Sequence, residues 1–415
     1  MQGTASILER RWGPAAILPA MQPSRSIVFL FVATSVGMAQ SPAPAPPQPQ
    51  QVWQMQDSGS TASFRGIDSV DGTVAWASGT EGTVLRTTDG GAHWQKCAVP
   101  DADKDGATLD FRGVQAWDAQ TAIVMASGPG DKSRLYKTTD GCKSWQIVSR
   151  NLEKDGFWDT IRMTGPKTLL MIGDPLPKTQ LVRFKSETWF HFPLYGSIDA
   201  GMHWERLDND KLLALPDATG KPAQPIFAAS NSSMIEVERH SLIVFATGGN
   251  RAQLGIYQIV EDPDPLICKK RCAIASSTKL PLKPGTSAGG FSVGARNEDS
   301  KDLTLLVVGG DYTKPEEQEG TAAICNRDET GPVFMTMLRC TASTTPPHGY
   351  RSTVQWSEQE KLWITAGTNG SDLSRDDGRT WQPLDNGHWN ALSLPFIVGP
   401  KGRIARLNPA AIPKP

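Results

Sequence analysis

Short apolar runs that end in glycine recur along this chain. They are 74–79 (VAWASG), 123–128 (IVMASG), 169–173 (LLMIG), 242–248 (LIVFATG), 305–309 (LLVVG), 362–367 (LWITAG) and 396–399 (FIVG). Runs this short and this uniformly apolar predict strands buried on both faces, since a strand with one wet face alternates instead. Seven of them in matching context predict a repeated unit rather than a collection of unrelated strands.

A polar motif is interleaved with these runs: Ser or Thr, any residue, Asp, any residue, Gly, two residues, Trp. It occurs at 87–94 (TTDGGAHW), 197–204 (SIDAGMHW) and 374–381 (SRDDGRTW), and at 138–145 (TTDGCKSW) with Cys142 in the glycine position. This is the Asp box, or BNR repeat. The carboxylates of Asp89, Asp140, Asp199 and Asp376 are expected to accept backbone N–H groups of their own turns. The glycine permits a positive φ there. Trp94, Trp145, Trp204 and Trp381 then open the next strand and bury against neighbouring sheets. The boxes therefore read as structural staples, not as metal sites or acids.

Together the two patterns predict an all-β fold, a seven-bladed β-propeller, in which each apolar run lies between adjacent blades. After the last run only 403–407 (RIARL) follows, so the final blade lacks an outer strand. Residues 52–56 (VWQMQ) are placed to supply it, closing the ring by pairing the N- and C-terminal strands and protecting both edges. One propeller domain over 52–410 is expected. Insertions mark its less regular blades, among them 175–193, read as a widened loop.

The N-terminus changes the picture of where the chain works. Arg25 precedes the apolar run 27–33 (IVFLFVA), and Gly37 and Ala39 stand at the −3 and −1 positions of a cleavage site before Gln40. Residues 1–39 read as a signal peptide, with Met21 a plausible start, and 40–51 as a Pro/Gln-rich linker. The run is too short for a stable bilayer span, an uncleaved anchor being the other reading, and no later segment is long and apolar enough. The protein is expected to be exported, periplasmic or secreted. Six cysteines, an even number, fit disulfides in such a compartment; Cys325 with Cys340 and Cys268 with Cys272 are the local pairs. Composition adds little: with 42 basic and 43 acidic residues the net charge is −1, which provides no field for nucleic acid or anionic lipid.

The boxes, with the paired openings 64–67 (FRGI) and 111–114 (FRGV), resemble the photosystem II assembly and stability factor family and its bacterial exported relatives. The resemblance covers nearly the whole mature chain. It implies a seven-bladed propeller that helps assemble a membrane complex by binding a protein or peptide client, an assembly-factor-like scaffold. Cys142 departs from the pattern, as do two middle blades without boxes.

Aligning the blade openings at 64–65, 111–112, 158–159 and 350–351 predicts that Arg65, Arg112, Asp159 and Arg351 converge at the mouth of the central channel. Asp174 and Asp311, which follow strand-ending glycines, are expected to face the same opening. Guanidinium forks there suit a carboxylate or phosphate; the alternative is that these charges tie blades together. The rival function is a sialidase-type glycoside hydrolase on the same fold, which needs an arginine cluster and a tyrosine nucleophile activated by a glutamate; Tyr312 and Tyr350 are the tyrosines near the proposed face. The histidines are scattered without metal spacing, and no phosphate-binding or nucleophile-elbow motif occurs. The expectation is a non-catalytic monomer without cofactor or metal, whose partner is a polypeptide and not nucleic acid.

Overall fold

The computed structural model describes residues 51–182, 185–207, 212–214, 220–222, 224–237, 242–261, 271–296, 303–328 and 337–414. The expected signal peptide, nearly all of the linker and the Cys268–Cys272 pairing lie outside these residues or their described side chains. Residues 49–415 form a compact unit of their own.

Among the described residues the chain is all-β with short 3-10 turns, and its sheets are antiparallel. The first sheet runs Phe64–Ser69, Ala75–Gly79, Val84–Thr87, Gln95–Lys96. The second runs Phe111–Ala116, Ala122–Ala126, Arg134–Thr138, Gln146–Arg150. The third runs Trp158–Met163, Leu169–Gly173, Leu194–Ser197, Glu205–Arg206. The fourth comprises Met234–Val237, Leu242–Ala246, Gln253–Glu261 and Arg271–Lys279. The fifth comprises Gly285–Arg296, Thr304–Asp311, Ala322–Arg327 and Leu338–Ala342, with Gly248–Gly249 added at its edge. The sixth comprises Thr353–Ser357, Leu362–Gly367, Gly370–Ser374 and Gln382–Asp385.

A seventh sheet joins the two ends of the described chain. Ala391–Ser393, Phe396–Val398 and Ile404–Leu407 are followed outward by Trp53–Gln56, with Trp53 opposite Leu407 and Gln56 opposite Ile404. In the 175–193 insertion Leu176–Val182 and Lys185–His191 pair, and Leu213–Ala214 adds to them as the third strand of a further sheet. That stretch, expected as a loop, is a hairpin.

The first strand of each sheet lies against the first strand of the next, and Ala391–Ser393 lies against Phe64–Ser69. The second strands are the predicted apolar runs, and they are buried along almost their whole length. The glycines at the ends of five of them, Gly79, Gly173, Gly309, Gly367 and Gly399, have a common cause. A Cβ at Gly79 would stand 2.4 Å from the Ser63 carbonyl oxygen, and one at Gly367 would stand 2.0 Å from that of Tyr350. The preceding strand's backbone passes directly over the glycine, so no side chain fits.

Side chains on the first strands tie one sheet to the next. Ile67, Val114, Ile161, Ile235, Val293, Val354 and Leu392 hold equivalent positions, as their pairing partners on the second strands show. The residue after each is often polar. Asp68 accepts the N–H of Ala116 at 2.7 Å, Gln115 that of Met163 at 2.7 Å, Gln355 that of Leu394 at 2.9 Å, and Ser393 that of Ser69 at 3.0 Å. Each bond runs from one sheet to its successor, and the last returns to the first. These buried and half-buried polar groups are thus partnered, as a site of reduced dielectric requires.

Candidate functional site

Four first strands carry a β-bulge at one place. Pairing with the second strand skips Arg65 between Phe64 and Gly66, Arg112 between Phe111 and Gly113, Asp159 between Trp158 and Thr160, and Phe291 between Gly290 and Ser292. A bulged residue leaves the ladder, and its side chain is re-aimed. Arg65, Arg112 and Phe291 line one cavity of about 400 Å³, together with Phe227, Tyr312 and Tyr350.

The cavity has a cationic side and an aromatic side. Asp110 stands between the two arginines: its carboxylate lies 3.3 Å from Arg65 Nε and accepts from Arg112 Nε at 2.9 Å. Burial, the largest influence, holds the Arg65 pKa below its ordinary value; Asp110 opposes that and Arg112 adds to it. Two guanidiniums share one carboxylate, which leaves a net positive charge at the surface of the cavity. Opposite, Phe227 stacks on Phe291 with centroids 4.1 Å apart, and Tyr350 meets Phe291 edge-on at 4.9 Å. Tyr350 is buried, and burial raises its pKa, so the phenol is neutral at physiological pH.

Arg351 is elsewhere. It is completely buried, its Nε donates to Asp372 at 2.6 Å, and Nη1 donates to the Tyr350 carbonyl at 2.6 Å. His348 Nδ1 lies 2.7 Å from the same carboxylate, which holds the imidazole pKa above its ordinary value. The cause is register. Gly79 and Gly367 are equivalent, and they lie under Phe64 and Arg351 respectively. The sequence alignment of 350–351 with 64–65 is therefore displaced by one residue. Arg351 occupies the inward Phe64 position, and Ser352 holds the Arg65 position at the cavity, which Tyr350 also lines. In an extended strand one step exchanges the two faces.

The predicted acids also separate. Asp159 is buried behind the cavity with Oδ2 unpartnered, while Asp174 accepts the N–H of Ile226 at 2.8 Å. Asp311 instead accepts from Ser287 Oγ at 2.8 Å and from Thr313 N at 3.0 Å, closing its own turn. So Arg65 and Arg112 come together at the cavity, and Asp159, Asp174, Asp311 and Arg351 are not among the residues that line it. Sequence reasoning missed Asp110, Phe227 and Phe291. The signal for Asp110 was its place one residue before the Phe111-Arg112 opening.

The Asp boxes share one geometry. Thr87 Oγ1 donates to Asp89 Oδ1 at 2.9 Å, Asp89 accepts from His93 N at 3.0 Å, and Gly91 N donates to Thr87 Oγ1 at 2.9 Å. Asp140, Asp199 and Asp376 repeat this with Ser144, His203 and Thr380. Hydrogen bonds from the turn hold Asp89 and Asp140 at a pKa of about 2 and push Asp199 lower still. The tryptophan N–H groups are also engaged: Trp94 with Gln56 and Trp145 with the Ala98 carbonyl, each on the preceding sheet's outer side, and Trp204 and Trp381 with the carbonyls of Gly201 and Gly378 in their own boxes. Cys142, at φ 63°, forms a disulfide with Cys97 beside the first sheet's outer strand. The missing glycine is thus a covalent link between sheets. Cys325 and Cys340 form the second disulfide, as expected.

No hydrogen bond joins the hydroxyl of Tyr312 or Tyr350 to a glutamate among the described residues, whereas sialidase chemistry requires that pair. Nor do three His, Cys, Asp or Glu side chains gather there as metal ligands would. No helix among the described residues is long and apolar enough to cross a membrane.

No protein-family model matches the chain, and no curated protein does. Solved structures do. A YCF48 structure with a bound D1 peptide aligns with a TM-score of 0.53 at 16% identity, covering 89% of this chain and 99% of the other. YCF48 from Cyanidioschyzon merolae aligns with a TM-score of 0.50 at 16% identity, covering 86% and 99%. The fold is the β-propeller of YCF48. The all-β sheets with their first strands side by side are its blades, and the cavity with Arg65 and Arg112 sits where the first strands converge.

Proposed function

We propose that this protein is an exported, non-catalytic scaffold, a seven-bladed propeller over 52–410 that holds a protein or peptide client at the mouth bearing Arg65 and Arg112. The observation that carries the reading is the pairing of two bulged guanidiniums with an aromatic wall in one cavity. Guanidinium forks recognise carboxylates, and the stacked rings offer area for an apolar side chain. A polypeptide presents both groups along one backbone. The D1 peptide bound to YCF48 supports a client of this kind on this fold.

Closure of the seven blades rests on the Trp53–Leu407 pairing and on the sheet-to-sheet bonds that return from Ser393 to Ser69. Export rests on the signal-like segment 1–39, and two disulfides suit an oxidising compartment. A monomer is expected, because ring closure leaves no unpaired terminal strand.

Affinity capture from the native envelope tests the function. The wild-type chain is expected to recover a defined client, and the Arg65→Ala/Arg112→Ala variant, which keeps its fold, is expected to lose it. Equal recovery by both would refute the site.

A further inference from the structure

The two sides of the mouth come from separated parts of the fold. Arg112 stands on the second sheet, whereas Phe227 belongs to segment 226–233 (IFAASNSS), which forms no strand and leads into the fourth sheet. The third sheet lies between them, so the repeat itself does not fix how far the guanidinium stands from the ring. Side-chain hydrogen bonds do. Asn231, in this segment, is only 6% exposed. Its Oδ1 accepts from Ile161 N at 2.9 Å and from Thr160 Oγ1 at 3.2 Å, both on the third sheet. Its Nδ2 donates to the Val114 carbonyl at 3.3 Å, on the second sheet. One end of the amide meets donors and the other an acceptor, so the side chain has a single orientation.

The residue type meets a backbone demand as well. Asn231 has φ 60°, a conformation that asparagine takes more readily than most side chains. Gly113, directly after Arg112, makes the room: a Cβ there would stand 2.8 Å from Asn231 Oδ1. The segment is also held from its other side. Ser230 Oγ donates to the Ser352 carbonyl at 2.6 Å, just before the sixth sheet, and the Ser232 carbonyl accepts from Val293 N at 2.9 Å, on the fifth. Arg112 Nη1 itself donates to the Ala228 carbonyl at 3.2 Å. Ala228 and Ala229 line the cavity beside Phe227, so this tethered backbone is part of the wall. A buried polar network of this kind holds one geometry.

We propose that Asn231 is a positioning residue: it fixes the distance between the arginines and the aromatic wall, and so makes the mouth selective for a polypeptide in which a carboxylate and an aromatic side chain stand at one spacing. Asn231 is not among the residues that line the cavity, so it acts through Phe227 and Arg112 and not by touching the client. The guanidiniums hold the carboxylate and the rings hold the side chain. A ligand reaches both only when its own spacing matches; a shorter or longer one forfeits a contact, because a pre-organised site does not follow it. This inference rests on the mouth being the client site, as proposed above.

Synthetic peptides of the form acetyl-Phe-(Gly)n-Asp-amide, with no glycine up to three, test it by calorimetry on the full chain. The wild type is expected to bind its preferred spacing about tenfold or more tighter than its poorest. Asn231→Gly keeps the positive φ and deletes the three bonds. It is expected to unfold cooperatively, as the wild type does, yet to shrink the preference to about threefold or less. A residue of merely structural importance would instead weaken every peptide in proportion. Asn231→Asp, which keeps the acceptor for Ile161 N but sets an oxygen against the Val114 carbonyl, serves if the glycine variant fails to fold, and the same flattening is expected. Flat or absent binding by the wild type, or an undiminished preference in the variant, would overturn the proposal. The Arg65→Ala/Arg112→Ala variant separates the two readings. Binding that needs those arginines but shows no spacing preference sinks the positioning role and leaves the mouth standing; binding indifferent to them sinks the mouth, and the positioning role with it.

Discussion

Arg65 and Arg351 look alike in the sequence, each following an aromatic residue, yet one lines a cavity and the other is sealed into the blade interior. The difference lies in where the bulge falls, and a bulge depends on hydrogen-bond pairing that residue types do not reveal. The two therefore fail differently when truncated. Arg351→Ala strands the buried Asp372 and is expected to cost about 3–5 kcal/mol in urea denaturation, with His348 losing part of its network. Arg112→Ala, at a partly exposed pair, is expected to cost about 1 kcal/mol or less. A result in which Arg351→Ala is the milder change would contradict the placement. Titration follows the same logic. Asp89 and Asp140 have depressed values of about 2, so their contribution is full above the ordinary carboxylate pKa and is lost as pH falls toward 2. Asp68 and Asp174 are raised to about 6 by burial. From about pH 4 to 6 the unfolded chain releases those protons first, so stability declines there by up to about 1.4 kcal/mol per pH unit for each group. Thermal melts from about pH 3 to 8 are expected to show this decline, and its absence in an Asp68→Asn/Asp174→Asn variant would assign it.

The repeating elements were the most legible part of the chain. The apolar runs became the second strands because burial on both faces leaves no alternation to misread, and the Asp boxes folded as their spacing implied because each is closed by its own hydrogen bonds. The exception at Cys142 was visible as a departure, but its partner was not: Cys97 is remote in sequence and becomes adjacent only when the second sheet's box docks on the first sheet's outer strand. The 175–193 insertion was misread as a loop for a related reason, since its hairpin pairs mainly with itself and lacks the repeat's apolar signature. The Cys97–Cys142 link is a staple between blades. Cys97→Ser/Cys142→Gly is expected to lose about 2–4 kcal/mol in urea, with glycine supplying the positive φ so that the loss reports the covalent link. A loss near zero would mean that docking of the box alone joins these sheets.

On the scale of the whole molecule, the repeated apolar runs announced the propeller, because strands buried on both faces are what blades packed side by side require. What the sequence did not announce was the role of the polar residues on the first strands. Asp68, Gln115, Gln355 and Ser393 each grip the following sheet. Those polar residues resemble a ligand site in composition but are occupied by backbone, whereas Arg65 and Arg112 share one carboxylate and keep donors to offer. Asn390, from the last sheet, lines the same cavity and donates to the Phe64 carbonyl at 2.7 Å, so the cavity's geometry depends on that sheet meeting the first. Closure is tested by placing cysteines at Gln54 and Arg406, which face each other across the terminal strand pair, in a chain purified under reducing conditions and then oxidised. The account predicts a near-quantitative intramolecular cross-link and a monomer of raised melting temperature; a chain in which these cysteines remain free, or join only between molecules, would contradict it.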